Sequence, residues 1–314
     1  MAMLAWVISR LDCGEALRTL RKAEYEYIFP VVVIMVFDFL LRAIRWGSLF
    51  DYPYPTVGNR FVALMIGYLG NNVFPARAGQ IARVYVLGHR EKVGKGAVLA
   101  GVMVEHAIDL AVIVMLSFLV LFSYPKFTRF REAGFILAFT IFAGLFSFTA
   151  VSITGRKTIP IIVRLVRFLP ENIVFLIRNV LEDFITGLSS LRRASKLFQF
   201  LSWTAFIWIT ELATVLLMAR AFHLNLSMLD GLLFILAVGL GTMVPSSPGY
   251  VGTYEFFATN ALMTVGIGGG AALGFAFSLH ALMFLTQSLL GIGCMARCGI
   301  DAYRFFAFRA LANE

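Results

Sequence analysis

Gly67-Tyr-Leu-Gly-Asn-Asn-Val-Phe-Pro-Ala-Arg-Ala-Gly79 interrupts an apolar run where a membrane helix has least reason to break. A second stretch, Ala237-Val-Gly-Leu-Gly-Thr-Met-Val-Pro-Ser-Ser-Pro-Gly249, repeats it. Pro75 aligns with Pro245 and Gly79 with Gly249, each pair 170 positions apart. Further on, Gly96-Ala-Val-Leu aligns with Gly270-Ala-Ala-Leu and His106 with His280, at an offset of 174. Proline removes a backbone donor and clashes with the preceding helical turn, and glycine weakens the helix around it. Gly/Pro interruptions at matching places in the two halves of a membrane chain point to a transporter's substrate site.

The surrounding composition sets the solvent. Of 314 residues, 60% are hydrophobic and only 14% charged, and the mean hydropathy is +0.83. A soluble domain carries nearer a quarter charged residues, so this is an all-α polytopic membrane protein. The net charge of +9 therefore speaks to orientation and to anionic lipid headgroups. Nucleic acid is excluded as a partner, because only short loops are left to carry a basic face. Cys13, Cys294 and Cys298 make no disulfide framework. Cys294 and Cys298 lie one helical turn apart, but they read as small core residues, and neither a metal nor a cofactor is expected.

Apolar runs long enough to span a bilayer occur at Ile28–Arg45, Gly96–Phe122, Ala133–Thr154, Phe200–Phe222 and Gly270–Met295. Phe61–Phe74 and Leu229–Val244 are shorter and run into the breaks, and each is followed by a second short segment, Gln80–Gly88 or Tyr250–Val265. Broken backbone at membrane depth must be buried in protein or line a cavity. The expectation is thus a helical bundle of about seven transmembrane segments plus two re-entrant hairpins. An inverted arrangement would let the hairpins enter from opposite leaflets and meet near the midplane.

Five stretches follow along the chain. Residues 1–27 read as an interfacial amphipathic segment, since Met1–Leu11 is too short to span or to serve as a signal. Residues 28–154 hold the first repeat and 198–296 the second, and 297–314 form a tail. Residues 155–197 carry eight Lys or Arg against three acids, which places this linker in the cytoplasm. Its Ile173, Ile177, Val180, Leu181, Phe184, Leu188 and Leu191 fall at helical spacing. They mark an amphipathic helix that lies on the membrane surface or packs on the bundle.

Ionisable residues inside these runs need a reason, because a charge at the bilayer centre costs roughly 2.5–3.5 kcal/mol on insertion scales. Glu105, His106 and Asp109 form the densest group. Residues four apart share a helix face, so two carboxylates and an imidazole are expected at one cavity, where they could couple or gate transport. The alternative is an ion-pair knot with Arg42, Arg45, Arg77 or Arg83. His280 stands at the equivalent place in the second repeat. Arg77 and Arg83 flank the start of a short helix, where free N–H groups and a guanidinium fork suit a phosphate. Their alternative is to snorkel to the interface. Asn71 and Asn72 add uncharged donors. Ser246, Ser247, Thr253, Tyr254 and Glu255 form the matching lining in the second repeat, with Glu255 a candidate proton carrier or cation-binding group. Glu211 and Asp38 are weaker coupling candidates, and both read more readily as helix-pairing residues. No GxxxxGK[ST], HExxH, GxSxG or paired CxxC occurs, so nucleotide hydrolysis by a phosphate loop and these hydrolase chemistries have no support.

At these same residues the chain resembles the lysylphosphatidylglycerol synthase transmembrane-region family, also called the flippase-like or UPF0104 family. The resemblance rests on Arg45-Trp46, Asn72-x-x-Pro75-Ala-Arg77-Ala-Gly79, Arg83, Glu105-x-x-x-Asp109, Glu211 and Pro245-x-x-Pro248-Gly249-x-x-Gly252-x-x-Glu255. It covers nearly the whole chain. In two places the chain departs from the family: His106 follows the glutamate where arginine is usual, and the usual first transmembrane helix is reduced to Met1–Leu11. The resemblance implies a helical bundle that moves lipids. In relatives fused to an aminoacyltransferase domain, this region flips the aminoacylated lipid; others look associated with hopanoid or lipid-linked sugar pathways.

The expected function is therefore a flippase of a bacterial or archaeal cytoplasmic membrane, not an enzyme. It would move an anionic phospholipid, an aminoacylated lipid or a polyprenyl-linked or hopanoid-type lipid through a polar groove. The alternatives are a lipid-binding accessory subunit of a membrane glycosyltransferase or synthase, or an enzyme acting on a lipid phosphate. Homo-oligomerisation is also expected, since Gly266, Gly268, Gly269, Gly270 and Gly274 allow close helix approach.

Overall fold

The computed structural model describes residues 13–50, 55–75, 77–124, 159–171, 173–175, 177–179, 182, 193–243 and 247–299. Among them the structure is helical and without strands. In chain order the helices are α1 (Cys13–Lys22), α2 (Ile28–Gly47), α3 (Val57–Val73), α4 (Gly79–Glu91), α5 (Lys95–Ser123), α6 (Ile159–Leu165), α7 (Ala194–Ala221), α8 (Met228–Met243), α9 (Thr253–Thr264) and α10 (Gly269–Arg297). Four are long and apolar enough to cross a membrane: α2 with the turn before it (Tyr25–Gly47), α5, α7 and α10. The expected span at Ala133–Thr154 and most of the amphipathic helix of the linker lie outside the described residues.

The repeat is visible in the helix limits. α5 and α10 each have 29 residues, and both limits differ by 174 positions, 95 to 269 and 123 to 297. α4 and α9 begin at that same displacement, 79 to 253. α3 and α8 end 170 positions apart, at 73 and 243. Each half thus reads long helix, short helix, break, short helix, long helix. The two breaks use glycine differently. At Gly79 a Cβ would run into the carbonyl oxygen of Gly67 and stand 2.5 Å from the Asn71 amide, so only glycine lets α4 start this close to α3. At Gly249 the backbone is left-handed, with φ +63°, and Tyr250 and Gly252 also have positive φ, at 61° and 88°. There the chain needs residues that tolerate that region.

The chain folds as two compact units. One comprises residues 42–60 and 84–205, the other 1–41, 61–83 and 206–314. Because lipid is as apolar as leucine, helices in a bilayer associate through close packing of small residues and through polar contacts. In the first unit Trp46 is fully buried, with its indole nitrogen 3.4 Å from the Cβ position of Gly101. Arg60 donates to the carbonyls of Ala43 and Ile44 at 2.8 and 2.9 Å. That satisfies acceptors in the last turn of α2, where a cation also opposes the helix dipole.

In the second unit α1 lies on α10, where Gly274 brings its Cβ position within 3.1 Å of the Ala16 carbonyl and Gly270 faces Glu15. Two glycines read from the sequence as an association surface are therefore used within the chain. Described residues 13–22 of the expected N-terminal segment take this helical, docked form. An aromatic series, Phe222–Phe275–Phe234–Tyr254, runs with ring centroids 5.8, 5.5 and 6.3 Å apart. It leads to the second break.

Candidate functional site

Two polar centres stand out, one in each unit. In the first, Arg45 near the end of α2 is 1% exposed and takes both carboxylates of α5. Its Nη1 donates to Asp109 Oδ1 at 2.6 Å, and its Nη2 to Asp109 Oδ2 at 3.0 Å and Glu105 Oε1 at 2.8 Å. Nη1 also donates to the Thr204 hydroxyl at 3.2 Å, and the guanidinium lies 5.0 Å from the Phe200 ring centre. The i, i+4 spacing does put Glu105 and Asp109 on one face, as expected. Of the arginines considered from the sequence, Arg45 is the one that takes both. His106, one residue round the helix, is exposed, while Glu105 is buried.

The second unit brings the two breaks together. The Cβ position of Gly249 is 3.5 Å from the Asn72 carbonyl and 2.7 Å from the Phe284 ring. Arg77, left-handed at φ 57°, donates from Nη2 to the Thr242 carbonyl at 2.8 Å and lies 5.8 Å from the Tyr250 ring centre. Asn72 reaches α10, where its Nδ2 donates to the Phe284 carbonyl at 3.3 Å and the Ser288 hydroxyl at 3.1 Å. Asn71 is buried against Gly79, and Arg83, 3% exposed, packs over Gly67. Arg83 is therefore inside the protein and not at the lipid interface. Among the described residues, three buried polar atoms of the first break, Asn71 Oδ1, Arg77 Nε and Gln80 Oε1, have no hydrogen-bond partner. Buried polar atoms are normally satisfied, so three such atoms at one break are an exception.

Beyond the second break, Glu255 and His280 are 2% and 4% exposed. His280 Nδ1 is 2.6 Å from Glu255 Oε1, and its Nε2 is 2.9 Å from the Gly249 carbonyl oxygen. The other carboxylate oxygen accepts from the Gly252 amide at 2.6 Å, which closes the first turn of α9 as a capping glutamate does. Tyr254 stacks on the imidazole, with centroids 4.2 Å apart and planes 12° apart. Glu211 of α7 lies within electrostatic reach of the Tyr254 hydroxyl. Ser247 donates to the Val251 carbonyl at 2.7 Å, inside the turn, while Ser246 lies outside the described residues. Thr253 is buried at the start of α9. Asp38 accepts from Thr210 at 2.7 Å and so ties α2 to α7.

Sequence reasoning missed Tyr250, Gln80 and Ser288. Tyr250 was readable as an aromatic beside a glycine break; Ser288 had no sequence signal, because its role comes from facing Asn72. Among the described residues no group of three His, Cys, Asp or Glu is placed to hold a metal ion.

No solved structure matches the chain. It is 27% identical over 330 aligned positions to a Haloferax volcanii protein named glycosyltransferase AglD, covering 95% of this chain and 53% of that one. The chain thus spans about half the length of that relative. It is 25% identical over 321 positions to a UPF0104 membrane protein of Methanothermobacter thermautotrophicus, covering 96% of this chain and 92% of that protein. The pattern of the family described as lysylphosphatidylglycerol synthase TM region matches residues 1–291. With paired breaks, four apolar helices of spanning length and a match over most of its length, this multi-pass membrane protein belongs to the lysylphosphatidylglycerol synthase transmembrane-region family.

Proposed function

We propose that the protein is a lipid translocase of a bacterial or archaeal cytoplasmic membrane, and that the two breaks form re-entrant hairpins lining the headgroup path. The observation that carries this is the meeting of the breaks, with Asn71 Oδ1, Arg77 Nε and Gln80 Oε1 buried there without a hydrogen-bond partner among the described residues. Arg77 supplies a guanidinium for a lipid phosphate, which it recognises by charge and planar donors. Asn71 and Gln80 supply acceptors for headgroup hydroxyl or amine donors, and Arg83 adds positive potential. Acyl chains remain in the bilayer, so only the polar headgroup needs a protein environment. On this reading Glu105, Asp109, Glu211 and Glu255 serve coupling, gating or scaffold roles, and no bond of the lipid is made or broken.

The test is a vesicle assay with purified protein and a trace of headgroup-intact, tail-labelled phosphatidylglycerol. Wild type should expose inner-leaflet label to a membrane-impermeant quencher, and R77A should fall towards protein-free vesicles while eluting as a folded species. Equal rates for R77A and wild type would remove Arg77 from the path. A second reading has a specific support: the Haloferax relative is named a glycosyltransferase and is about twice as long. On that reading the chain presents a lipid to a partner glycosyltransferase or synthase. It predicts lipid retention in detergent without translocation in vesicles.

A further inference from the structure

The Glu255–His280 pair is buried, ionisable and bonded to the backbone of the second break, and nothing in the headgroup path uses it. A carbonyl oxygen can only accept, so the 2.9 Å contact with the Gly249 carbonyl requires the hydrogen on His280 Nε2. The 2.6 Å contact between Nδ1 and Glu255 Oε1 then requires one more proton between those two atoms. Whether it sits on nitrogen or oxygen, the pair as a whole is neutral and holds that single shared proton. Its setting disfavours a net charge: the Phe222–Phe275–Phe234–Tyr254 series stands on one side, and Tyr254 covers the ring.

Removing that proton has a defined structural consequence. The imidazole keeps one N–H, and the carboxylate, now a full negative charge, claims it through Nδ1, because a charge-assisted bond is the stronger. Nε2 becomes a bare lone pair facing the Gly249 oxygen, and that bond is lost. Gly249 is the left-handed residue at the centre of the break, with its Cβ position against Phe284 and the Asn72 carbonyl. Proton loss therefore releases the second break from α10 where it meets the first.

Among the described residues, these charged and titratable groups stand on the surrounding elements. They are Tyr254 on α9, Tyr250 and Arg77 at the breaks, Arg83 on α4, Glu211 on α7 and, ten residues earlier on α10, Glu15 of α1 facing Gly270. His280 is the imidazole in this set, the side chain whose ordinary titration falls near neutral pH. We infer that Glu255 and His280 form the proton-binding site that couples a pH gradient to opening and closing of the second break. This rests on the translocation reading. Protonated, the break is held against α10; deprotonated, it is free to move, and the proton leaves to water on whichever side the break then faces.

E255Q separates this from a structural role. The amide can accept from the Gly252 amide and donate to Nδ1, leaving Nε2–H on the Gly249 carbonyl, so the same bonds persist without an exchangeable proton. In vesicles of phosphatidylethanolamine and phosphatidylglycerol, wild type should shift the leaflet ratio of labelled phosphatidylglycerol by about tenfold per pH unit for one proton per lipid. E255Q should show no gradient dependence. The chain has four histidines, so nitrogen-15 histidine spectra can follow the tautomer directly. With rising pH, His280 should move to the Nδ1–H form in wild type and stay Nε2–H in E255Q. A gradient response in E255Q equal to wild type, or an invariant His280 tautomer in wild type, overturns the inference. If wild type moves lipid without responding to the gradient, coupling fails and translocation stands. If wild type moves no lipid, the translocation reading falls and the coupling falls with it.

Discussion

The middles of α5 and α10 are the same place in two copies of one pattern, yet they hold opposite kinds of polar centre. On α5, Glu105 and Asp109 point at a fully ionised arginine, while His106 is exposed. On α10 the matching positions to the carboxylates are Leu279 and Met283, and the position matching His106 is the buried His280 with its glutamate partner from α9. One residue along a helix turns the side chain by about 100°. The backbone repeat has thus been kept while the buried polar face has rotated by one position. Arg45 cannot give up its proton in a protein, so the α5 centre acts as a fixed tie. The α10 centre has a proton that can leave, so it can act as a switch.

Breaking the fixed tie should have the largest effect. R45A leaves the buried Glu105 and the partly exposed Asp109 without this cation, a loss of about 3–5 kcal/mol for removing one partner of a buried pair. The expected outcome is little folded protein in detergent by fluorescence-detected size exclusion. The triple variant R45M/E105Q/D109N, which removes the charges together, should recover most of it. If R45A is as stable as wild type, the α5 centre is not a tie and the comparison with α10 loses one side.

Much of this was legible beforehand, and the reasons for what was not are local. Pro75, Gly79, Pro248 and Gly249 mark the breaks because their chemistry is tied to backbone conformation, and the displacement of 174 carries the helix limits with it. Glu105 and Asp109 share a face by spacing alone. Their partner could not be chosen among four arginines, since that depends on how α2 meets α5. The pairing of His106 with His280 by symmetry holds as an alignment, but the two differ in burial, and the first repeat has Ile81 where the second has Glu255. The use of Gly270 and Gly274 by α1 was invisible because small residues advertise close approach without naming the neighbour.

The two aligned histidines give the next effect in size. H280A removes a hydrogen-bond partner from both Glu255 and the Gly249 carbonyl, and leaving buried groups unsatisfied costs about 1–3 kcal/mol. H106A alters an exposed position and should change stability by less than about 0.5 kcal/mol. Thermal unfolding of the two variants side by side measures the asymmetry. Equal losses would mean that His106 is held as tightly as its counterpart and that the repeat is symmetric in energy as well as in backbone.

The smallest effect sharpens the comparison at a site open to solvent. Glu91, at the end of α4, accepts from the Thr56 amide at 2.7 Å, the Thr56 hydroxyl at 2.9 Å and Asn59 Nδ2 at 2.7 Å. Partial burial pushes its carboxyl up, but the bonds from Asn59 and Thr56, with the charge of Arg60, outweigh this and hold it below the ordinary range. A carboxyl held low in the folded state stabilises fully above its unfolded pKa of about 4.3 and loses that contribution as the pH falls through the lower, folded value. Acidification below pH ~4 should therefore loosen the start of α3 in wild type, and E91Q should remove that part of the pH dependence. The contribution is modest because the site is open to solvent and salt. Hydrogen exchange at the Thr56 and Asn59 amides, followed against pH, reports it directly. Two separate pH responses, the acidic one at Thr56 and Asn59 absent in E91Q and the one at the His280 ring absent in E255Q, would assign each to its carboxyl; a His280 response that survives E255Q but disappears in E91Q would move the switch from α10 to α4.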